Sequence, residues 1–380
     1  MTGRSEKKQY FIRFLLIIGS LLISLLLAEG ASRIFLDPID FLKPRQVPDK
    51  ILGVRLEPYS GAHDSWGFRN KKVPKTADIV AIGDSHTYGI SAKASYSWPS
   101  ILQRLTGRTV YNLSLGGYGP VEYYYLLKTK GLTLSPSLVI VGLYLGNDIS
   151  NAYGSVYGSD YWKSLRRADF NPKQKIMRFK LDRQKFSYRL SQWLPGHSVL
   201  YRIISSSVIG DELRNLREIY RGEEVIMFRE KAHNITTGFT PTSKLRAMNL
   251  KIPEVEEGLR ITLELINQMS ELCRENGVDF LVVLIPTKET VYSDFIKNND
   301  SLPNSQTIED LIRSESELNE RVKTYLKRHN IAYVDVLGPL RNAAGAVQLY
   351  PTNFGGHTNK NGYAIIAKSI HRYLLEHPGR

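Results

Sequence analysis

At 380 residues the chain is long for one compact domain, so one large domain with an insertion, or two domains, is expected. Its 42% hydrophobic and 23% charged residues exclude a disordered or fibrous polymer, and a single cysteine, Cys273, excludes an internal disulfide. The net charge of +14 is concentrated: residues 151–252 carry 19 Lys and Arg against 9 Asp and Glu, and residues 1–13 most of the remainder. So local an excess points to an acidic partner such as an anionic glycan, phospholipid headgroups or nucleic acid, or else to a solvated basic face.

The first element is apolar. Residues 11–28, FIRFLLIIGSLLISLLLA, carry one charge, Arg13. As a helix they extend about 27 Å, enough for the hydrocarbon core of a bilayer. Arg4, Lys7, Lys8 and Arg13 flank the amino end, which for an uncleaved anchor keeps the N-terminus in the cytoplasm and exports the rest. The alternative is a cleaved signal peptide, with Ala28 and Gly30 as a small-x-small site. The apolar stretch is longer than that of most signal peptides, which favours the anchor, and export argues against nucleic acid as the partner.

Residues 31–76, rich in Pro, Gly and charge, read as a connector. An α/β rhythm follows. ADIVAIG (77–83) is a short apolar run closed by glycine, as in a strand buried on both faces. A helical stretch holding Trp98, Ile101 and Leu102 leads to a second strand, RTVYNLS (108–114), a helix near 121–130 and a third strand, SLVIVGLYLG (137–146). Residues 253–276 form an amphipathic helix whose apolar face includes Cys273, read as a buried small hydrophobe. VDFLVVLIP (278–286) and IAYVDVL (331–337) are strands, and 362–377 a closing helix. Strands alternating with helices predict a parallel sheet covered on both faces. The interval 153–252 breaks the rhythm with aromatics and basic residues, and reads as an insertion or lid between the core parts 77–152 and 253–380.

Four short blocks stand at the carboxyl ends of these strands, where α/β folds bind ligands. GDSHTYG (83–89) places Ser85 at a tight turn opening a helix, although Asp and Ser are also ordinary helix caps. NLSLGGYG (112–119) offers a glycine backbone N–H, GNDIS (146–150) the side-chain amide of Asn147, and GGHTNKNGY (355–363) supplies His357. Each is weak alone. In this order they resemble the blocks of the SGNH (GDSL-type) hydrolases, over about half the chain. IPTKETVY (285–292) and DSWGFRN (64–70) also resemble segments of membrane-anchored members from envelope polysaccharide systems.

The resemblance implies a flavodoxin-like three-layer α/β/α fold and acyl-enzyme chemistry on an ester. Ser85 is then the nucleophile and His357 the base. The N–H groups of Ser85 and Gly117 and the side chain of Asn147 form the oxyanion hole; Gly117 lies five residues after Asn112, the family's usual spacing. One position departs from the pattern. The Asp that usually precedes the base by two or three residues is replaced by Gly355 and Phe354. Three options remain: a Ser-His dyad, an orienting group from elsewhere (Asn353, Asp335 or Asp64), or an impaired enzyme. His86, pointing away from its neighbour Ser85, is read as lining the pocket rather than as the base. No metal-ligand spacing is present, and no cofactor is expected. The sequence leaves open water or a sugar hydroxyl as second acceptor, and as a rival class a non-catalytic glycan-binding scaffold. The basic interval, with Arg166, Arg167, Lys173 and Lys175, is expected to cover the site and select an anionic glycan.

Overall fold

The computed structural model describes residues 2–171, 193–207, 210–214, 216, 224–297 and 305–378. Five parallel strands form the central sheet: β3 (Ile79–Gly83), β4 (Val110–Ser114), β5 (Leu138–Tyr144), β8 (Asp279–Ile285) and β9 (Ala332–Asp335). Their order across the sheet is β4-β3-β5-β8-β9. Counting only these strands, that is 2-1-3-4-5, the flavodoxin-like doubly wound order. Every residue of β3 and β5 is buried, which explains why both read as unbroken apolar runs instead of alternating.

Helices cover both faces. On one side, Val80, Ile82, Val139 and Val141 pack against α8 (Pro253–Glu275) and α11 (Ser305–Arg328), with Cys273 fully buried among them. On the other, Ile79, Ala81 and Ile140 meet Trp98 and Leu102 of α3 (Trp98–Thr106) and Tyr363, Ile366 and Ile370 of α13 (Lys360–Glu376). Each such aliphatic side chain contributes roughly 1.5–3 kcal/mol on burial, so the layers are held chiefly by apolar contact. Gly258 of α8 permits this packing: a Cβ there would stand 2.2 Å from the carbonyl oxygen of Ile149 in α5 (Asp148–Gly158).

The stretch read as a connector contains a short hairpin, β1 (Gln46–Asp49) with β2 (Gly53–Leu56), and is stapled to the core. Arg69 is buried and donates to the carbonyl oxygens of Ile39 at 3.2 Å and Gly89 at 2.9 Å. Beyond α5, the interval read as irregular contains a second hairpin, β6 (Ile226–Glu230) with β7 (Ile235–Phe239), followed by α7 (Pro241–Met248).

The amino-terminal helix α1 runs from Thr2 to Phe35, longer than the span read from sequence. Within it, Lys8–Phe35 is long and apolar enough to cross a membrane, its most apolar 18-residue window having a mean hydropathy of 2.5. Its end is tied to the folded body. Glu29 accepts from the backbone N–H groups of Val199 (3.0 Å) and Leu200 (2.9 Å), at the start of α6 (Val199–Ser205), and from the Ser198 hydroxyl at 2.9 Å. Arg33 pairs with Glu29 at 2.7 Å and donates to the carbonyl of His197.

Candidate active site

Strand β3 ends at Gly83, flanked in register by Ser114 of β4 and Gly142 of β5, so the loops after all three strands share one edge. Glycine is required there. A Cβ on Gly83 would approach Thr87 Oγ1 to 2.1 Å, and the turn into α2 (Ser85–Tyr88) could not close. Asp84 caps that turn by accepting from the His86 N–H at 2.8 Å. Ser85 follows as the first helical residue.

The loop after β4 passes directly across Ser85. A Cβ on Gly116 would lie 3.4 Å from Ser85 Cβ, and Gly117 adopts φ +89°, a left-handed conformation that favours glycine. Among the described residues neither glycine N–H has a hydrogen-bond partner. Asn147 precedes α5 at the same edge, and its buried Oδ1 is also unpartnered.

His357 arrives from the far side of the sheet, in the loop before α13. Its Nε2 stands 2.7 Å from Ser85 Oγ, although 272 residues separate the two in sequence. Ser85 Oγ also lies 3.2 Å from Asp84 Oδ2. The two side chains expected to react are therefore in hydrogen-bond contact.

The orienting groups offered by the sequence do not reach His357. Asp335 pairs with Lys323 at 2.6 Å and accepts from Asn319 and from the Leu337 N–H. Asp64 serves the Trp66 and Phe68 N–H groups, Asn70 and the Tyr111 hydroxyl, pinning the DSWGFRN segment to β4. Asn353 is engaged with Asp211 at 3.1 Å and the Gly355 N–H at 2.9 Å. Among the described residues no carboxylate hydrogen-bonds the imidazole.

Another residue holds the histidine loop. Lys288, fully buried, donates from Nζ to the carbonyl oxygens of Gly355 (2.9 Å) and Asn353 (3.2 Å). The β6–β7 hairpin supports the same loop: Gly238 N–H donates to Asn353 O at 3.2 Å and Thr237 Oγ1 to Pro351 O at 2.9 Å. A Cβ on Gly238 would strike the Phe354 ring at 2.2 Å. Part of the interval read as a lid therefore braces His357 from behind. Sequence reasoning missed Lys288 and this brace; the only pointer was the IPTKETVY segment.

Desolvation and the nearby ammonium groups of Lys244, Lys288 and Lys43 push His357 down to about 3 from its usual 6.5. Burial, with the charges of His357 and Lys244, likewise holds His86 well below the ordinary range. Burial raises Asp84 to about 6 and lowers Lys288 to about 8. A neutral His357 is the form that accepts a proton from serine. Because its folded pKa is depressed, its contribution to stability is present above pH 6.5 and is lost as pH falls toward 3. An NMR titration of ¹³C-histidine-labelled protein is expected to show His357 uncharged from about pH 5 to 8. A midpoint near the ordinary histidine value would contradict this environment.

Of the basic interval, Lys173 and Lys175 lie outside the described residues. Arg166 and Arg167 pair locally with Asp160 (3.3 Å) and Asp169 (2.6 Å). Trp162 is buried, Tyr153 stacks on Tyr157 and both meet Phe170 edge-on, whereas Tyr161 and Trp193 are exposed. Among the described residues no three His, Cys, Asp or Glu side chains converge on a metal position.

No protein-family model matches this sequence, and no curated protein matches it. Solved structures with a similar chain path include a protein of the G-D-S-L family from Desulfitobacterium hafniense (14% identity, 77% of this chain and 97% of that one, TM-score 0.39). A GDSL-like lipase from Bacteroides thetaiotaomicron shares 12% identity over 78% and 87%, with a TM-score of 0.36. An acetylxylan esterase from Geobacillus stearothermophilus shares 11% over 78% and 93%, at 0.37. Likenesses this distant assign no role to any residue of this chain.

Proposed function

We propose that this chain is an exported, membrane-anchored serine esterase or O-acyltransferase of the SGNH type, acting on an ester of an envelope glycan. The observation that carries the reading is the 2.7 Å contact between Ser85 Oγ and His357 Nε2 at the carboxyl edge of a flavodoxin-like sheet. Ser85 attacks the ester carbonyl while His357 takes its proton. The oxyanion is received by the N–H groups of Ser85 and Gly117 and by the Asn147 amide, preorganised donors of the kind that stabilise such intermediates. His357 then protonates the leaving alcohol, and water or a sugar hydroxyl resolves the acyl-enzyme. The unpartnered Gly117 N–H supports that assignment. The excess of basic residues over 151–252 is the sequence feature that motivates a glycan substrate.

A second reading, a glycan-binding scaffold that keeps the fold without turnover, is favoured by the absent carboxylate on His357. One experiment separates the two and tests the topology. Intact cells are treated with a membrane-impermeant fluorophosphonate and their membranes washed at alkaline pH. Labelled full-length protein in the washed membranes is expected. An unlabelled protein supports the scaffold, and label released by the wash contradicts the anchor.

A further inference from the structure

Four polar groups around the Ser85–His357 pair lack partners among the described residues. His86 is 1% exposed, and neither ring nitrogen makes a hydrogen bond. The Tyr144 hydroxyl and Asn147 Oδ1 are also buried and unpaired. The Lys244 ammonium has no acceptor; it lies 5.0 Å over the Tyr144 ring. Leaving a buried polar group unsatisfied is costly, so the three buried groups call for partners, and the part-buried Lys244 ammonium is free to meet one.

These groups converge. The His86 ring centroid lies 3.9 Å from that of Tyr144 and 4.8 Å from that of His357. A Cβ placed on Gly356, next to His357, would stand 3.3 Å from the Tyr144 hydroxyl and 3.9 Å from Lys244 Nζ. Both donors therefore flank one point beside the base. The acidic side chains that act on Lys244 are occupied elsewhere. Glu289 accepts from the Thr240 N–H, Asp84 caps α2, Glu315 serves Thr287 and Thr290, and Asp148 serves Tyr144 N–H and Tyr123.

An ammonium, a phenol and an imidazole make a donor set for oxygen, with one fixed positive charge to be matched by a monoanion. We propose that Lys244, Tyr144 and His86 form a carboxylate subsite beside the Ser85–His357 pair, and that the ester substrate carries a carboxylate which occupies it. The proposal rests on the esterase reading above and names its substrate class. It also answers the missing acid. Lys43, Lys244 and Lys288 all oppose a positive charge on His357. A substrate carboxylate at this point offsets them when His357 takes the serine proton, the electrostatic part that a triad carboxylate plays. The gain then falls on kcat as well as on KM.

The test uses full-length protein and two matched pairs of aryl esters. One pair carries carboxylate or its methyl ester on the acyl side, the other carboxylate or carboxamide on the leaving group. In at least one pair the charged member is expected to show a kcat/KM about tenfold higher or more, the equivalent of one charge-assisted hydrogen bond, with kcat raised. Lys244→Met should bring the ratio close to one, and Lys244→Arg should keep most of it. Fluorophosphonate labelling of both variants confirms a folded site. Equal rates for charged and neutral members in both pairs, or a preference that survives in Lys244→Met, overturns the subsite while leaving the esterase reading intact. Absence of hydrolysis and of labelling in the wild type removes both.

Discussion

Ser85→Ala is expected to lower turnover of a short-chain aryl ester by about 10⁴-fold or more and to abolish fluorophosphonate labelling, the scale seen when a nucleophile is removed from a Ser-His site. The change is conservative for the fold. It deletes one hydroxyl whose neighbours are His357 Nε2 and Asp84 Oδ2, and Asp84 keeps its capping bond to the His86 N–H. Loss of activity without loss of structure is therefore the expected combination, checked by initial rates, gel fluorescence and circular dichroism on the same preparation. His357→Ala should slow both reactions while leaving a slow residual labelling, because the hydroxyl and the oxyanion donors stay in place. Labelling that persists undiminished in Ser85→Ala would move the nucleophile elsewhere and sink the assignment.

The second large effect belongs to Lys288. Its ammonium is fully buried and ties the carbonyl oxygens of Asn353 and Gly355 to the segment after β8. Methionine fills a similar volume but donates nothing, leaving the Gly355 carbonyl short of a partner at about 1–3 kcal/mol if it stays dry, while Asn353 O keeps the Gly238 N–H. Removing a desolvated charge returns part of that cost, so the stability change should be smaller still. The catalytic change should be larger. Gly355 is two residues from His357, and a base displaced by about 1 Å can lose on the order of 10² in rate. Lys288→Met is thus expected to lower kcat about a hundredfold with KM little altered, and to slow labelling of Ser85 in proportion. A lowered melting temperature with unchanged kcat would reduce Lys288 to a purely structural role.

Much of the architecture was legible because the signals are local. Buried parallel strands such as β3 read as apolar runs closed by glycine, and the blocks holding Gly83, Asn147 and His357 lie at one edge of the sheet. The Ser85–His357 pair was legible only through the combined order of four blocks, since each block alone is an ordinary turn or cap. What escaped was tertiary. α11 buries Ile308, Leu311, Leu318, Val322 and Leu326, but its apolar stripe is diluted by charged neighbours and was passed over. The β6–β7 hairpin joins two strands of five residues, too short to stand out among basic residues. Lys244 carries no sequence signal and Lys288 only its place in IPTKETVY, because a lone lysine reads as surface until the fold encloses it. The missing carboxylate was visible; that no carboxylate among the described residues replaces it on the imidazole emerged only from where Asp64, Asp335 and Asn353 are occupied.

The carboxylate of Glu29 bears on reach. It sits one residue beyond the apolar stretch that ends at Ala28, in an unbroken helix, and grips the first turn of α6. A domain on a limp leash would sweep a hemisphere above the bilayer and sample esters at many heights. A domain bolted to its mast at this point keeps one altitude and one tilt, pivoting only as the helix itself leans. Lengthening α1 by a full turn below Glu29 would raise the catalytic edge by about 5.4 Å without rotating it, whereas two added residues would swing it to the other side of the helix axis. Were α1 to span the bilayer as proposed, it would act as a gauge, setting how far from the lipid surface an ester must stand to be reached.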